Sequence, residues 1–254
     1  MMTAFDLESV RSSLPARQIH WHPVLESTMI EASRWAAAGC PSGTIVAAEE
    51  QTGGRGRYGR AWHSEPGSGL YVSIVLRYRF GPTTLPLVTL ALGLATREAI
   101  LKVADLACDL RWPNDVLIEA KKCAGILTQL EGSAIIAGIG VNVNHSAFPE
   151  ELNDVATSLC LVSHRIHSRE QLLAALAENV DQFCGLLERE GAEPILEMFS
   201  RASSFVFGRR VSVDQGHARL EGITAGLNST GFLILQRDDG TRNVILAGGV
   251  RPCS

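Results

Sequence analysis

The sequence contains no Cys-x-x-Cys, and no two of its six cysteines (Cys40, Cys108, Cys123, Cys160, Cys184 and Cys253) stand closer than 15 positions. That spacing fits neither a zinc site nor a dense disulfide framework, and it predicts reduced thiols in a cytosolic setting. The pairs His20/His22 and His164/His167 have no cysteine near them, so no metal site held by a cluster of protein side chains is expected. Long apolar runs are also missing: residues 84–95 and 134–143, the most apolar stretches, fall short of the ~20 residues that cross a membrane. The first ten residues carry Asp6 and Glu8 and no apolar block, so no signal peptide is expected. Lysine is scarce, with only Lys102, Lys121 and Lys122 among 23 basic residues. Where arginine is the default cation, the adjacent pair Lys121-Lys122 asks for a reason. The net charge of −4 argues against a surface that grips nucleic acid or anionic membrane as a whole, though local basic patches remain open. A Walker loop, Gly-x-Ser-x-Gly and the kinase motif set are all absent, which removes those routes to phosphate binding and nucleophilic catalysis.

What is present describes a folded chain of 254 residues, 46% hydrophobic and 20% charged, long enough for one medium and one small domain. Thr28-Met29-Ile30-Glu31 has capping-box spacing ahead of an alanine-rich run, which predicts a helix over 28–38. Residues 44–50 and 70–79 read as strands, with Leu70, Val72, Ile74 and Leu76 alternating in the second. A mostly small and apolar segment predicts a buried helix over 86–103. Four short β-rich runs follow at 109–112, 116–119, 123–131 and 134–144, at intervals that suit hairpins and an antiparallel or mixed sheet. A second capping box, Ser168-Arg169-Glu170-Gln171, opens a helix with Leu172, Leu173, Leu176, Val180, Phe183 and Leu187 on one face. A further helical piece follows Pro194. Strand-like runs at 205–213, 218–226, 231–236 and 241–246 then suggest a small barrel, which divides the chain into 1–204 and 205–254.

Three segments carry chemistry. Residues 51–62 hold four glycines and three arginines with no acid, so the backbone can approach a ligand closely while guanidinium forks grip phosphate or carboxylate. Gly54, Gly56 and Gly59 match Gly-x-Gly-x-x-Gly, but Pro66, Gly67 and Gly69 follow where a dinucleotide fold needs a helix, so that match is rejected. A solvated or RNA-contacting arginine loop and an anion site both remain open for this segment. The glycines and the mutual repulsion of Arg55 and Arg57 predict a loop without fixed structure until an anion arrives. Arg111-Trp112-Pro113-Asn114-Asp115 is either ordinary turn chemistry or a rigid presentation of a carboxamide and a carboxylate. Lys121 and Lys122 begin an apolar strand, as surface charges or as an inward oxyanion donor, and successive residues should face opposite sides. Gly138-Ile139-Gly140-Val141-Asn142-Val143-Asn144 ends a strand with glycines and asparagines, for packing or for an amide that reaches a ligand.

The ordered series Gly-Arg-Gly-Arg-x-Gly-Arg-x-Trp, Trp-Pro-Asn-Asp, Lys-x-Ala-Gly-Ile-Leu and Gly-x-Gly-x-Asn-x-Asn, within a stretch from about Glu26 to the C-terminus, resembles the biotin protein ligases. The resemblance implies an α+β fold, with a mixed-sheet catalytic domain of the biotin/lipoate ligase type and a small SH3-like barrel. It also implies a reaction in which the biotin carboxylate attacks the α-phosphate of MgATP. Biotinyl-5′-AMP then gives its acyl group to a lysine of a biotin carboxyl carrier protein. Carried over by motif, Ser27, Thr28 and Gln51 would meet the ureido end of biotin. Arg55, Gly56 and Arg57 would close over biotin and the adenylate. Arg60 and Trp62 would serve the nucleotide, and Asn114 and Asn142 the phosphates or their metal. Lys122 would bridge carboxylate and α-phosphate, and Asp115 would position the acceptor amine. A cytoplasmic enzyme with no DNA or membrane partner is expected, and monomer and homodimer both stay open.

The chain departs from the family pattern in three places, of which the last two touch none of the four motifs. Met29 stands where the family has asparagine, and Gly69 precedes Leu70 where some members have asparagine. The tail Gly248-Gly249-Val250-Arg251 replaces a more acidic version. About 25 residues precede Ser27, too few for the winged helix-turn-helix of family members that double as repressors, so a single-purpose ligase is expected. The competing readings are a lipoate ligase or octanoyl transferase, a nucleic-acid-binding regulator using the arginine loop, and an inactive sensor of biotin or nucleotide.

Overall fold

The computed structural model describes residues 5–79, 81–215 and 219–253. Its first sheet consists of β1 (Ile19–Leu25), β2 (Ile45–Gln51), β3 (Gly69–Leu76), β4 (Asp109–Arg111), β5 (Asp115–Ile118), β6 (Lys121–Glu131) and β7 (Ala134–Asn142). In space these run β1-β2-β3-β7-β6-β5-β4. The first pair is parallel and the rest antiparallel, the mixed sheet that the sequence predicts.

Period-2 alternation divides the strand residues between two covered faces. Ile45, Ala47, Leu70, Val72, Ile74, Leu76, Ile139 and Val141 join one large core with α3 (Leu85–Ala104) and α5 (Arg169–Glu190). Val46, Val75 and Ile136 meet Ala32 and Ala36 of α2 (Thr28–Ala37) on the other face. All of β3 is therefore buried, including Tyr71, Ser73 and Val75 between the alternating aliphatics. α2 extends only partway along its face, and the arginine loop crosses what remains.

Helix ends follow capping chemistry with one change. Ser168 accepts from the Gln171 N–H, as its capping box predicts. At α2 the cap is Ser27 and not Thr28, because the Thr28 hydroxyl instead meets Gln51 Oε1 at 3.1 Å and Ser73 Oγ at 2.9 Å. α6 (Ala192–Arg201) begins two residues before Pro194, since proline is tolerated in a first turn whose N–H groups lack helical partners. The sequence reading did not find α1 (Leu7–Ser13), β1 or α4 (Leu159–Ser163).

Beyond α6, β8 (Phe207–Asp214), β9 (Arg219–Leu227), β10 (Leu233–Gln236), β11 (Arg242–Ile245) and β12 (Gly249–Pro252) form an antiparallel sheet ordered β11-β10-β9-β8-β12. Four of these match the predicted runs, although residue 218, the first of the second run, lies outside the described residues. β12 is additional. Val211, Val213, Leu233 and Leu235 join the main core beside Ile195 and Phe199 of α6. Trp112 Nε1 also donates to Gly231 O at 2.9 Å across the two sheets, in a buried setting. Trp112→Phe leaves that carbonyl unpaired, and the expected loss is ~1–3 kcal/mol of unfolding free energy, read by urea denaturation. Among the described residues no helix is long and apolar enough to cross a membrane.

Candidate active site

The candidate site lies on the sheet face that α2 leaves uncovered, and glycines form its floor. Gly125 of β6 and Gly140 of β7 are direct cross-strand partners. A Cβ on Gly140 would come 2.6 Å from the Trp62 ring, and one on Gly125 2.9 Å from both that ring and Lys122 Nζ. Two missing side chains thus make room for an indole lying flat across two strands. Gly138, two residues back on the same face, gives the same room to Met29, whose sulfur would be 2.7 Å from a Cβ there. The thioether at the position of the family's asparagine therefore rests on the sheet.

Lys122 reaches this face through an irregularity. It stands three positions from Gly125, so plain alternation would send it to the opposite side. The β5–β6 register shifts here, with Leu117 opposite Lys122 and Val116 opposite Ala124, so Cys123 is the extra residue of a bulge. The bulge re-aims Lys122 over the Trp62 ring, with Nζ 5.3 Å from its centroid. Lys122 Nζ also pairs with Asp115 Oδ1 at 2.5 Å, while Arg111 donates to Asp115 Oδ2 at 2.7 and 3.3 Å. Burial alone would raise the Asp115 carboxyl. The charges and hydrogen bonds of Lys122 and Arg111 outweigh burial and hold it below the usual carboxylate range. The centre is therefore one carboxylate between two cations, with one positive charge in excess. Lys121 turns away and donates to Asn153 O at 2.7 Å.

The arginine loop takes a defined path here, unlike the unstructured loop that its glycines and like charges predict. Arg55 pairs with Ala61 through the backbone, and Gly56 N–H donates to Arg60 O at 2.7 Å. Arg57 is tied three times, its Nη1 donating to Asn114 Oδ1 and to Gly248 O, each at 3.2 Å, and its Nη2 to Tyr58 Oη at 3.1 Å. The small C-terminal sheet region thereby touches the site, a contact for which the sequence carries no signal. Arg55 and Arg60 are exposed. Asn142 anchors the floor, donating to Thr157 O at 3.0 Å and Lys122 O at 3.4 Å. The Trp62 indole N–H is buried without a partner.

Next to this centre lies a polar end. Gln51 Oε1 accepts from Thr28 N at 2.9 Å, and Ser27 caps the same helix. Gln51 is joined to the arginine loop, its N–H donating to Ser64 Oγ at 3.0 Å. Of the residues expected from sequence, Lys122, Asp115, Trp62, Arg57, Asn114 and Asn142 come together in one linked group, and Ser27, Thr28 and Gln51 in a second. Arg111, Gly125 and Gly140 are additions to the list.

One group of potential ligand side chains lies outside the residues that the sequence singles out. His63, Glu65 and His145 place one potential ligand atom each within 4.8 Å of the other two. Spacing rules missed this because His63 and His145 are far apart in sequence and meet only through the pairing of β3 with β7. Burial lowers the His145 ring to about 4, and neighbouring His63 adds to that against an opposing pull from Glu65. The imidazole is therefore neutral at physiological pH.

Cations gathered round one carboxylate, beside a polar group of side chains at a helix end, suit the joining of a carboxylic acid to a phosphate, the chemistry of the biotin and lipoate ligase class. Residues 21–146 match the biotin/lipoate A/B protein ligase family, and residues 206–250 match the biotin protein ligase C-terminal domain. A biotin–[acetyl-CoA-carboxylase] ligase of Paracoccus denitrificans is 32% identical over 89% of this chain and 96% of its own. The bifunctional ligase/repressor BirA of Bacillus subtilis is 30% identical over 94% of this chain and 75% of its own. The structure of the Aquifex aeolicus biotin protein ligase in complex with biotin and ATP superimposes with a TM-score of 0.82 at 29% identity, covering 93% of this chain and 99% of that one. The chain belongs to the biotin protein ligase family, with the α+β catalytic fold and the SH3-like C-terminal sheet of that family.

Proposed function

We propose that this enzyme adenylates biotin with MgATP and transfers the biotinyl group to a lysine of a biotin carboxyl carrier protein, of acetyl-CoA carboxylase or a related carboxylase. The observation that carries the reading is the Lys122–Asp115–Arg111 centre set against Trp62. In the first step a biotin carboxylate oxygen bonds to the α-phosphorus while the bond to the β-phosphate oxygen breaks and diphosphate leaves. Two anions must meet, and Lys122 neutralises the charge where they do. In the second step the lysine nitrogen bonds to the acyl carbon, the bond from that carbon to the phosphate oxygen breaks, AMP leaves, and the amine's proton passes to solvent water. Asp115, held ionised by its two cations, is a weak proton acceptor, so its part is to hold Lys122 and orient the incoming amine.

Ser27, Thr28 and Gln51 receive the ureido group, and Arg55, Gly56 and Arg57 close over the adenylate. Trp62 and Arg60 flank the nucleotide, with Asn114 and Asn142 beside the phosphates. Magnesium enters as part of MgATP. The Asp115 carboxylate is tied to two cations and the asparagines offer only carboxamide oxygens, which suits an ion that stays with phosphate and water ligands. A cytoplasmic setting agrees with an ATP-dependent reaction and with cysteines that are all free thiols. The division at 204/205 falls between the end of α6 and the first strand of the second sheet.

Gly140→Ala puts a methyl into the Trp62 ring, and overpacking of this kind costs ~1–3 kcal/mol. The expected result is a rise of about tenfold in KM for ATP with a smaller change in KM for biotin, measured by steady-state kinetics. A thermal-shift comparison tests the acyl substrate directly. Biotin with ATP should raise Tm and lipoate with ATP should not, and stabilisation by lipoate alone would transfer the chain to the lipoate branch.

A further inference from the structure

The cluster of His63, Glu65 and His145 has no part in the ligation chemistry above. His63 and Glu65 stand just after Trp62, and His145 just after the end of β7. Glu65 is exposed, His63 half-buried and His145 fully buried. The His145 ring stacks on Phe148, with centroids 5.0 Å apart.

Hydrogen bonding settles which His145 nitrogen carries the proton. The single hydroxyl hydrogen of Tyr71 goes to Glu65 O at 3.1 Å. The 3.3 Å contact between Tyr71 Oη and His145 Nε2 therefore has Nε2–H as donor and the phenol oxygen as acceptor. Nδ1 is left with a bare lone pair, buried and without a partner. An unsatisfied buried polar atom is costly and asks for an explanation. One ring nitrogen fixed by an N–H···O bond and the other bare is the arrangement of a metal-ligating histidine with its outer partner.

We propose that His63, Glu65 and His145 form a binding site for a divalent transition-metal cation of the zinc class, with two imidazoles, one carboxylate and a fourth position for water. Ligand atoms in a tetrahedral zinc site lie about 3.4 Å apart, so the cluster closes by rotation of the two side chains that are not fully buried, His63 and Glu65, onto a fixed His145. The cation then ties the segment after Trp62 to the segment after β7, and so stiffens the support of the nucleotide side.

The test uses tag-free, full-length protein stripped with a chelator and titrated calorimetrically with Zn2+. Co2+ serves as a spectroscopic stand-in. The expected result is one equivalent bound by the wild type, and affinity lowered at least about tenfold in His63→Gln and in Glu65→Gln. The Co2+ visible band should weaken in step. Neither substituted side chain is fully buried, so both variants should fold, which circular dichroism checks. Cys160 and Cys253, the thiols that are not fully buried, remain in both variants, so their binding cancels in the comparison. Wild-type protein that takes up no Zn2+, or uptake unchanged in both variants, overturns the proposal. The readout is metal binding, so the result stands apart from whether the enzyme ligates biotin.

Discussion

Lys122→Met should slow biotinyl-5′-AMP formation by about two orders of magnitude or more, the usual consequence of losing one strong oxyanion donor. Transfer from supplied biotinyl-5′-AMP should suffer much less. The asymmetry follows from charge: in the first step a carboxylate and an α-phosphate approach each other, whereas in the second the attacking group is an amine. Methionine keeps an unbranched stem over the Trp62 ring and the glycine floor. Asp115 retains Arg111 as partner, so the variant should fold. Lys121→Ala is the control and should be close to wild type, because Lys121 only donates to an exposed backbone carbonyl. Diphosphate release measures the first step, and single-turnover transfer of the adenylate to a carrier domain measures the second. Equal damage to both steps would show that Lys122 has another role.

Arg57→Ala should leave biotin-dependent diphosphate release measurable while sharply shortening the life of the bound adenylate, which then escapes and acylates lysines indiscriminately. Arg57 is held by a carboxamide, a backbone carbonyl and the Tyr58 hydroxyl, all neutral acceptors. An adenylate phosphate is a stronger, charge-assisted partner. Ligand should therefore draw Arg57 inward and bring the glycine loop down over a reactive anhydride, excluding water. Trypsin cleavage after Arg55 and Arg57 should fall when biotin and ATP are added, and a desalting column should retain adenylate on wild type but not on the variant. Unchanged cleavage together with equal retention would remove the loop's function as a lid.

Local signals carried much of the fold. The Ser168 cap and the stripe Leu172–Leu187 define α5 because both act within a few turns of one helix. The four ordered motifs likewise bring Arg57, Trp62, Asp115, Lys122 and Asn142 into one site. What remained hidden depends on the register and pairing of strands, which no single segment announces. The bulge at Cys123 turns Lys122 to the ligand face, and nothing in Lys-Lys-Cys-Ala-Gly announces it. Arg111 becomes a second cation on Asp115 only once β4 and β5 form a hairpin. Thr28 lost the cap to Ser27 because Gln51 and Ser73 compete for its hydroxyl, a choice made by strands β2 and β3. β1 carries two histidines and a proline, and β12 is four residues long, so neither has the apolar alternation by which strands are found.

The central claim is tested most directly in one reaction mixture of enzyme, MgATP and a biotin carboxyl carrier domain, followed for diphosphate and by intact-mass spectrometry of the carrier. Adding biotin should start diphosphate release, and the carrier should then gain one biotinyl group on a single lysine. Diphosphate release that ignores biotin, or that starts with lipoate or octanoate in its place, would contradict the account.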